Sequence, residues 1–109
     1  MSTFEERKQA FENKFKYDQD IRFKINSRRV RLVGGWAAER LGFTGEEAEA
    51  YAQEVVAVDI DKPCHADAIH KLRTDFKNRG LEISDHRIAK ELERQWEIAR
   101  QQVAPPVPV

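Results

Sequence analysis

The first signal able to stop a helix in this chain is Leu41-Gly42, and the apolar pattern changes midway through the run leading to it. A glycine just past the last apolar residue suits the left-handed position that ends helices. At 100° per residue, Phe4, Phe11 and Phe15 fall within about 40° of one another, a narrow stripe. From Ile21 onward the arc widens to about 200°. Ile21, Ile25, Leu32 and Trp36 lie on one side of it, and Phe23, Val30, Val33, Ala37 and Leu41 on the other. A narrow stripe suits a helix that meets one groove, whereas a wide arc suits a helix with two or three neighbours. The change falls at Tyr17-Asp18-Gln19-Asp20. The chain is therefore divided into an N-terminal arm over residues 1–18, a helical bundle over 19–103 and a Pro-rich tail over 104–109.

No later segment alternates as a strand does. Thr44-Gly45-Glu46-Glu47 has the form of a capping box, threonine accepting an orphan amide and Glu47 reaching back. It opens a second helix with Ala48, Tyr51, Ala52, Val55 and Val56 on its apolar side. Asp61-Lys62-Pro63-Cys64-His65 breaks that helix, because proline disfavours helical geometry at the residue before it. A third helix from about Ala66 presents Ile69, Leu72, Arg73 and Phe76, and Asn78-Arg79-Gly80 ends it. Ser84-Asp85 caps a fourth, striped by Ile88, Leu92, Trp96, Ala99 and Val103. Ala104-Pro105-Pro106-Val107-Pro108-Val109 reads as extended. Short connections between four helices favour antiparallel neighbours. The expected fold is all-α, a four-helix bundle with a flexible or partly helical N-terminal arm.

The arm is close to energetic balance on its own. Burying three phenylalanines yields at most about 1.5–3 kcal/mol each, while fixing its backbone costs about 1–2 kcal/mol per residue. Good helix formers recover part of that cost. Such a segment is partly helical alone and becomes ordered on a partner. The alternative is that the phenylalanine stripe folds back on the bundle as a further packing element.

Composition narrows the functions. The 109 residues carry no net charge, with 19 basic and 19 acidic side chains, so no global field holds nucleic acid or anionic lipid. Charge is nonetheless segregated: residues 1–31 hold nine Lys/Arg against five Asp/Glu, and residues 44–61 hold six acids and no base. The acidic segment is a candidate internal partner for Arg28-Arg29-Val30-Arg31. The single cysteine, Cys64, excludes an internal disulfide and fits a reducing compartment. No apolar run reaches signal-peptide or membrane-spanning length.

Nothing in the pattern points to catalysis. There is no Gly-rich phosphate loop, HExxH, paired-cysteine motif or nucleophile elbow. Cys64, His65 and His70 have the wrong spacing for a structural zinc site and lack a fourth ligand, so no metal site and no required cofactor are expected. Gly34-Gly35 is the oddest local choice, since each glycine costs about 1 kcal/mol in a helix interior. Either a neighbouring helix approaches closely there, or the space serves a ligand. Arg28 and Arg29 supply phosphate donors and Trp36 an aromatic wall. Arg28 and Trp36 differ by about 80° around the axis, so a second helix must complete any pocket.

These residues together resemble the zeta subunit family of α-proteobacterial F-type ATP synthases over nearly the whole chain. The carrying segments include Phe4-Glu5-Glu6-Arg7, Ala10-Phe11-Glu12-Asn13-Lys14-Phe15, Gly35-Trp36-Ala37-Ala38-Glu39, Leu41-Gly42-Phe43-Thr44-Gly45 and Lys71-Leu72-Arg73-Thr74-Asp75-Phe76. The resemblance implies a non-enzymatic regulatory subunit. Its N-terminal helix enters a catalytic α/β interface of the ATPase head near the γ subunit and blocks ATP hydrolysis. Phe4, Arg7, Phe11, Lys14 and Phe15 are the expected partner-binding set. The family is also implied to bind ADP or ATP weakly on the bundle, for which Arg28, Arg29 and Trp36 are the candidates here. The implied location is cytoplasmic, peripheral to the inner membrane through the synthase, without membrane insertion or nucleic-acid binding. The competing expectation is a nucleotide-responsive helical module associated with the synthase without strong inhibition. Gly34, Pro63-Cys64-His65 and the Pro-rich tail depart from the family pattern.

Overall fold

The structure, a computed structural model, describes residues 3–59 and 65–103. At positions 4, 5 and 9–17 it describes the helix but not the side chains. Four helices make up these residues: α1 (Phe4–Leu41), α2 (Gly45–Asp59), α3 (Ala66–Asn78) and α4 (Asp85–Val103). The expected break at Pro63-Cys64 and the Pro-rich tail lie outside the described residues.

Each helix stops or starts where local chemistry requires it. Gly42 takes the left-handed conformation, φ 87°, and Phe43 N–H closes the end of α1 on the Ala38 carbonyl at 2.9 Å. Gly80, φ 73°, ends α3 in the same way, with Leu81 N–H on the Phe76 carbonyl at 2.9 Å. Ser84 Oγ accepts from Arg87 N–H at 3.1 Å and caps α4. The capping box differs from expectation. It forms at the start of α1, where Thr3 Oγ1 accepts from Glu6 N–H and Glu6 Oε2 accepts from Thr3 N–H. No bond joins Thr44 and Glu47 among the described residues. Gly45, φ 56°, turns the chain at the position where the box needs right-handed helical geometry.

Successive helices run antiparallel. The Arg29 guanidinium of α1 lies over the Trp96 ring of α4, while Arg87, earlier in α4, lies over Trp36, later in α1. Helix α1 packs chiefly on α2 and α4, and α3 closes the assembly between them. One core results, built from Val30, Val33, Ala37 and Leu41, with Tyr51 and Val55, Leu72 and Phe76, and Ile88 and Leu92. Trp36 meets Phe76 edge to face at 5.8 Å and 89°. Gly34 explains the close approach of α1 to α2: a Cβ there would lie 2.9 Å from the Ala52 Cα. Two positions placed on apolar faces from the pattern are exposed. Arg73 instead pairs with Asp85 at 2.8 Å. Phe23, within the wide arc of α1, is 51% exposed, because α1 outruns its neighbours: the end of α4 at Val103 reaches only the rim beside it.

Helix α1 crosses residues 17–20 without a break. What changes there is burial. Asp18, Gln19 and Asp20 are exposed, Ile21 is half-buried and Ile25 is buried. At about 1.5 Å per residue the helix is about 57 Å long, and its buried residues among those described begin at Ile25.

Candidate functional site

Two regions answer to the site residues expected from the sequence. The first is the N-terminal half of α1. Phe4, Phe11, Lys14 and Phe15 lie on this helix, but their side chains are outside the described residues. Arg7 is exposed, and its backbone N–H donates to the Thr3 carbonyl at 3.1 Å. The Thr3–Glu6 box satisfies two of the amides that a helix start leaves orphaned. The start of the arm helix is therefore capped by its own sequence.

The second region is a cleft of about 530 Å³ between α1, the start of α2 and the middle of α4. Arg28 and Trp36 both line it, and so does Gly35, where an added Cβ would meet nothing within 4 Å. The two adjacent glycines thus divide the alternatives: Gly34 serves helix packing and Gly35 opens the cleft. The second helix needed to join Arg28 to Trp36 is α4, which supplies Glu91, Arg94 and Gln95. Arg29 is not brought to this cleft. One residue on, it points about 100° away, where its guanidinium donates to Asn26 Oδ1 at 2.9 Å and lies beside His65 Nε2.

The cleft is already well provided with counter-charge. Arg31 is ion-paired with Glu49. Arg94 and Arg87 bond Glu91 at 3.0 and 3.1 Å, and Gln95 Nε2 donates to it at 2.9 Å. Burial alone would push the Glu91 carboxyl up, but the bonds from Gln95 and Arg87 and the charges of Arg94 and Arg87 hold it below the usual carboxylate value. Only Arg28, among the three arginines of the cleft, has no ion pair among the described residues. An incoming phosphate must therefore compete with Glu49 and Glu91, which favours weak binding.

Behind Arg29 lies a relay absent from the sequence expectation. His65, left-handed at φ 55°, precedes α3 and places Nδ1 2.6 Å from Asp59 Oδ2. An arginine can only donate, so His65 Nε2 accepts from Arg29 and the proton sits on Nδ1, donated to Asp59. Burial raises the Asp59 carboxyl, against the pull of His65 and Arg29, and burial lowers the Arg29 guanidinium against the pull of Asp59. Asp59 Oδ1 and Arg29 Nε have no hydrogen-bond partner among the described residues. The acidic segment thus serves as internal partner of the arginine run in two places, Glu49 with Arg31 and Asp59, through His65, with Arg29.

Sequence reasoning missed Glu91, Arg94 and Gln95, and although it paired the acidic segment with the arginine run it did not single out Asp59 or join it to Arg29 through His65. A signal existed for the first of these: Arg87, Glu91 and Arg94 stand at helical spacings of four and three, where opposite charges meet on one face. None existed for the relay, which depends on the turn before α3. Among the described residues no cluster of three or more His, Cys, Asp or Glu is placed to hold a metal ion, and no helix is long and apolar enough to cross a membrane. Cys64 lies outside the described residues.

Compared with known families, residues 1–102 match the model of the family described as ATPase inhibitor subunit zeta. No curated protein matches the chain.

Proposed function

The chain belongs to the ATPase inhibitor subunit zeta family, and from that premise we propose that it restrains ATP hydrolysis by an F-type ATP synthase through residues 1–18 of its first helix. The observation that carries this reading is the self-capped first half of α1, whose described side chains are exposed, joined without a break to a helix buried in the core. A segment already helical loses less conformational freedom on docking. Phe4, Phe11 and Phe15 supply one apolar stripe, and Arg7 and Lys14 flank it. We place the docking groove at a catalytic α/β interface of the head, near γ, following the family resemblance. The role is regulatory, and the bundle anchors and orients the arm.

Hydrolysis by the isolated catalytic head should be suppressed by the full chain and untouched by a chain lacking residues 2–18. Equal inhibition by both would remove the arm from the mechanism.

A second reading rests on Gly35 and the cleft it opens. There ADP or ATP would act as a weak regulatory ligand, with phosphate on Arg28 and with Arg29 acting only through the relay behind it. The base would reach only the exposed edge of Trp36, whose ring Arg40 and Arg87 already cover. Amide chemical shifts recorded during an ADP titration should move around residues 28–36 and 91–95. No saturable change at millimolar ADP would eliminate this site.

A further inference from the structure

On the side of α1 where Phe23 emerges, a groove of about 490 Å³ runs between α1 and the C-terminal ends of α2 and α4. Phe23 is the most exposed large apolar side chain among the described residues, at 51%. Half-buried Val56 and Val103 line the groove with it. Its charged lining is entirely basic: Lys24, Arg28 and Arg31, with no acidic residue. Among the described residues most arginines of the bundle are committed, Arg22, which does not line the groove, being in no ion pair or ring contact. Arg31, Arg73, Arg87, Arg94 and Arg100 are in ion pairs, and Arg40 and Arg79 lie over rings. Lys24 and Arg28 are in neither arrangement among the described residues, and both are exposed.

An exposed aromatic beside two uncommitted cations, in a groove also lined by apolar Val56 and Val103, has the make-up of an interface anchor with a charged rim. We infer that this groove is a second contact surface for the same enzyme, taking an acidic segment of the catalytic head that inserts an apolar side chain against Phe23. The inference rests on the arm-docking reading above. Its location supports the choice of occupant. Phe23 follows Phe15 on the same unbroken helix by about 12 Å, so a head that holds the arm brings its own surface to the groove. The cationic rim selects an acidic surface and steers its approach.

The test replaces Phe23 by the photoreactive p-benzoylphenylalanine in the full chain, and Phe15 likewise in a parallel sample. Each is irradiated with the isolated catalytic head, and the products are mapped by mass spectrometry. Attachment from position 23 to an acidic segment of the head is the expected result. Lys24→Glu should then weaken association with the head by about tenfold, more at low salt than at high, with helical content unchanged. Attachment to residues 104–109 of this chain or to a second copy overturns the inference, as does attachment to a non-acidic surface. Attachment from position 15 but none from position 23 overturns it while leaving the arm reading intact. Failure at both positions removes the arm reading and this inference together.

Discussion

A Cβ at Gly34 would lie 2.9 Å from the Ala52 Cα, and one at Gly35 would meet nothing within 4 Å. The same substitution should therefore act in opposite directions at neighbouring positions. Gly34→Ala pushes two helix backbones apart and should cost about 1–3 kcal/mol. Gly35→Ala fills open space in a helix interior and should stabilise by about 0.5–1 kcal/mol. Chemical denaturation of both variants checks the signs, and a shared sign would remove the packing explanation of Gly34. Glu91 supplies a second test, with pH as the variable. Its side chain is fully buried and satisfied by Arg87, Arg94 and Gln95. Glu91→Gln replaces an acceptor of three bonds with a group that accepts at one end only, and should cost about 1–3 kcal/mol at pH 7. The folded carboxyl is held below its ordinary value, so its contribution is complete above the unfolded value of about 4.3 and is lost as pH falls through the folded one. Thermal unfolding of both proteins from neutral to acid pH should converge across that window. A difference that stays constant would mean that charge is not its source.

The four helices differ in how openly their sequences announced them. The stripes of α3 and α4 were legible because Leu72 and Phe76, and Ile88, Leu92 and Ala99, recur at helical spacing on one buried face and stay in phase. The glycine ends at Gly42 and Gly80 were legible because only a left-handed residue closes those turns. The side chains that were missed are buried polar groups, Glu91 and Gln95 bonded within α4 itself and Asp59 bonded by His65 from the turn before α3, and periodicity of apolar residues is blind to them. Phe23 was placed inward for a related reason: an arc drawn on one helix does not say where the adjacent helices end. In the candidate cleft, Arg28 and Trp36 were identified from the sequence, while the contribution of α4 depended on how the helices pack. Helix α1 itself carries a prediction. Since the described side chains before Ile21 are exposed, removing residues 2–18 should leave the thermal midpoint of the remainder nearly unchanged, and circular dichroism should register only the lost turns. Substantial destabilisation would make the arm part of the core. Phe11→Ala and Phe15→Ala should each weaken association with the catalytic head by about 1.5–3 kcal/mol. Charge reversal at Lys14 should do less, because a rim charge alters chiefly the approach rate.

At the scale of the whole molecule, opposite charges segregated along the sequence are folded against each other, as Arg31–Glu49 and Arg29–His65–Asp59 show. Exposed pairs such as Arg31–Glu49 contribute little to stability, and the buried Asp59 pair is screened little by salt. Raising salt from about 50 to 500 mM should therefore shift the unfolding midpoint only slightly, while slowing association with the head through the uncommitted cations of α1. Stopped-flow association and thermal melts over one salt series would separate the two, and parallel salt sensitivity would refute the division. The principal extents are 65 × 28 × 23 Å, and the length comes from α1. A stiff rod clamped at one end is a lever. From Ile25, where the clamp begins, to Phe4 is about 30 Å, so a tilt of about 5° at the clamp sweeps the tip through about 3 Å. A side-chain rearrangement in the cleft at Gly35 too small to alter the core would thus be magnified at the far end to roughly the width of a phenylalanine ring's thickness, enough to move an anchor out of its socket.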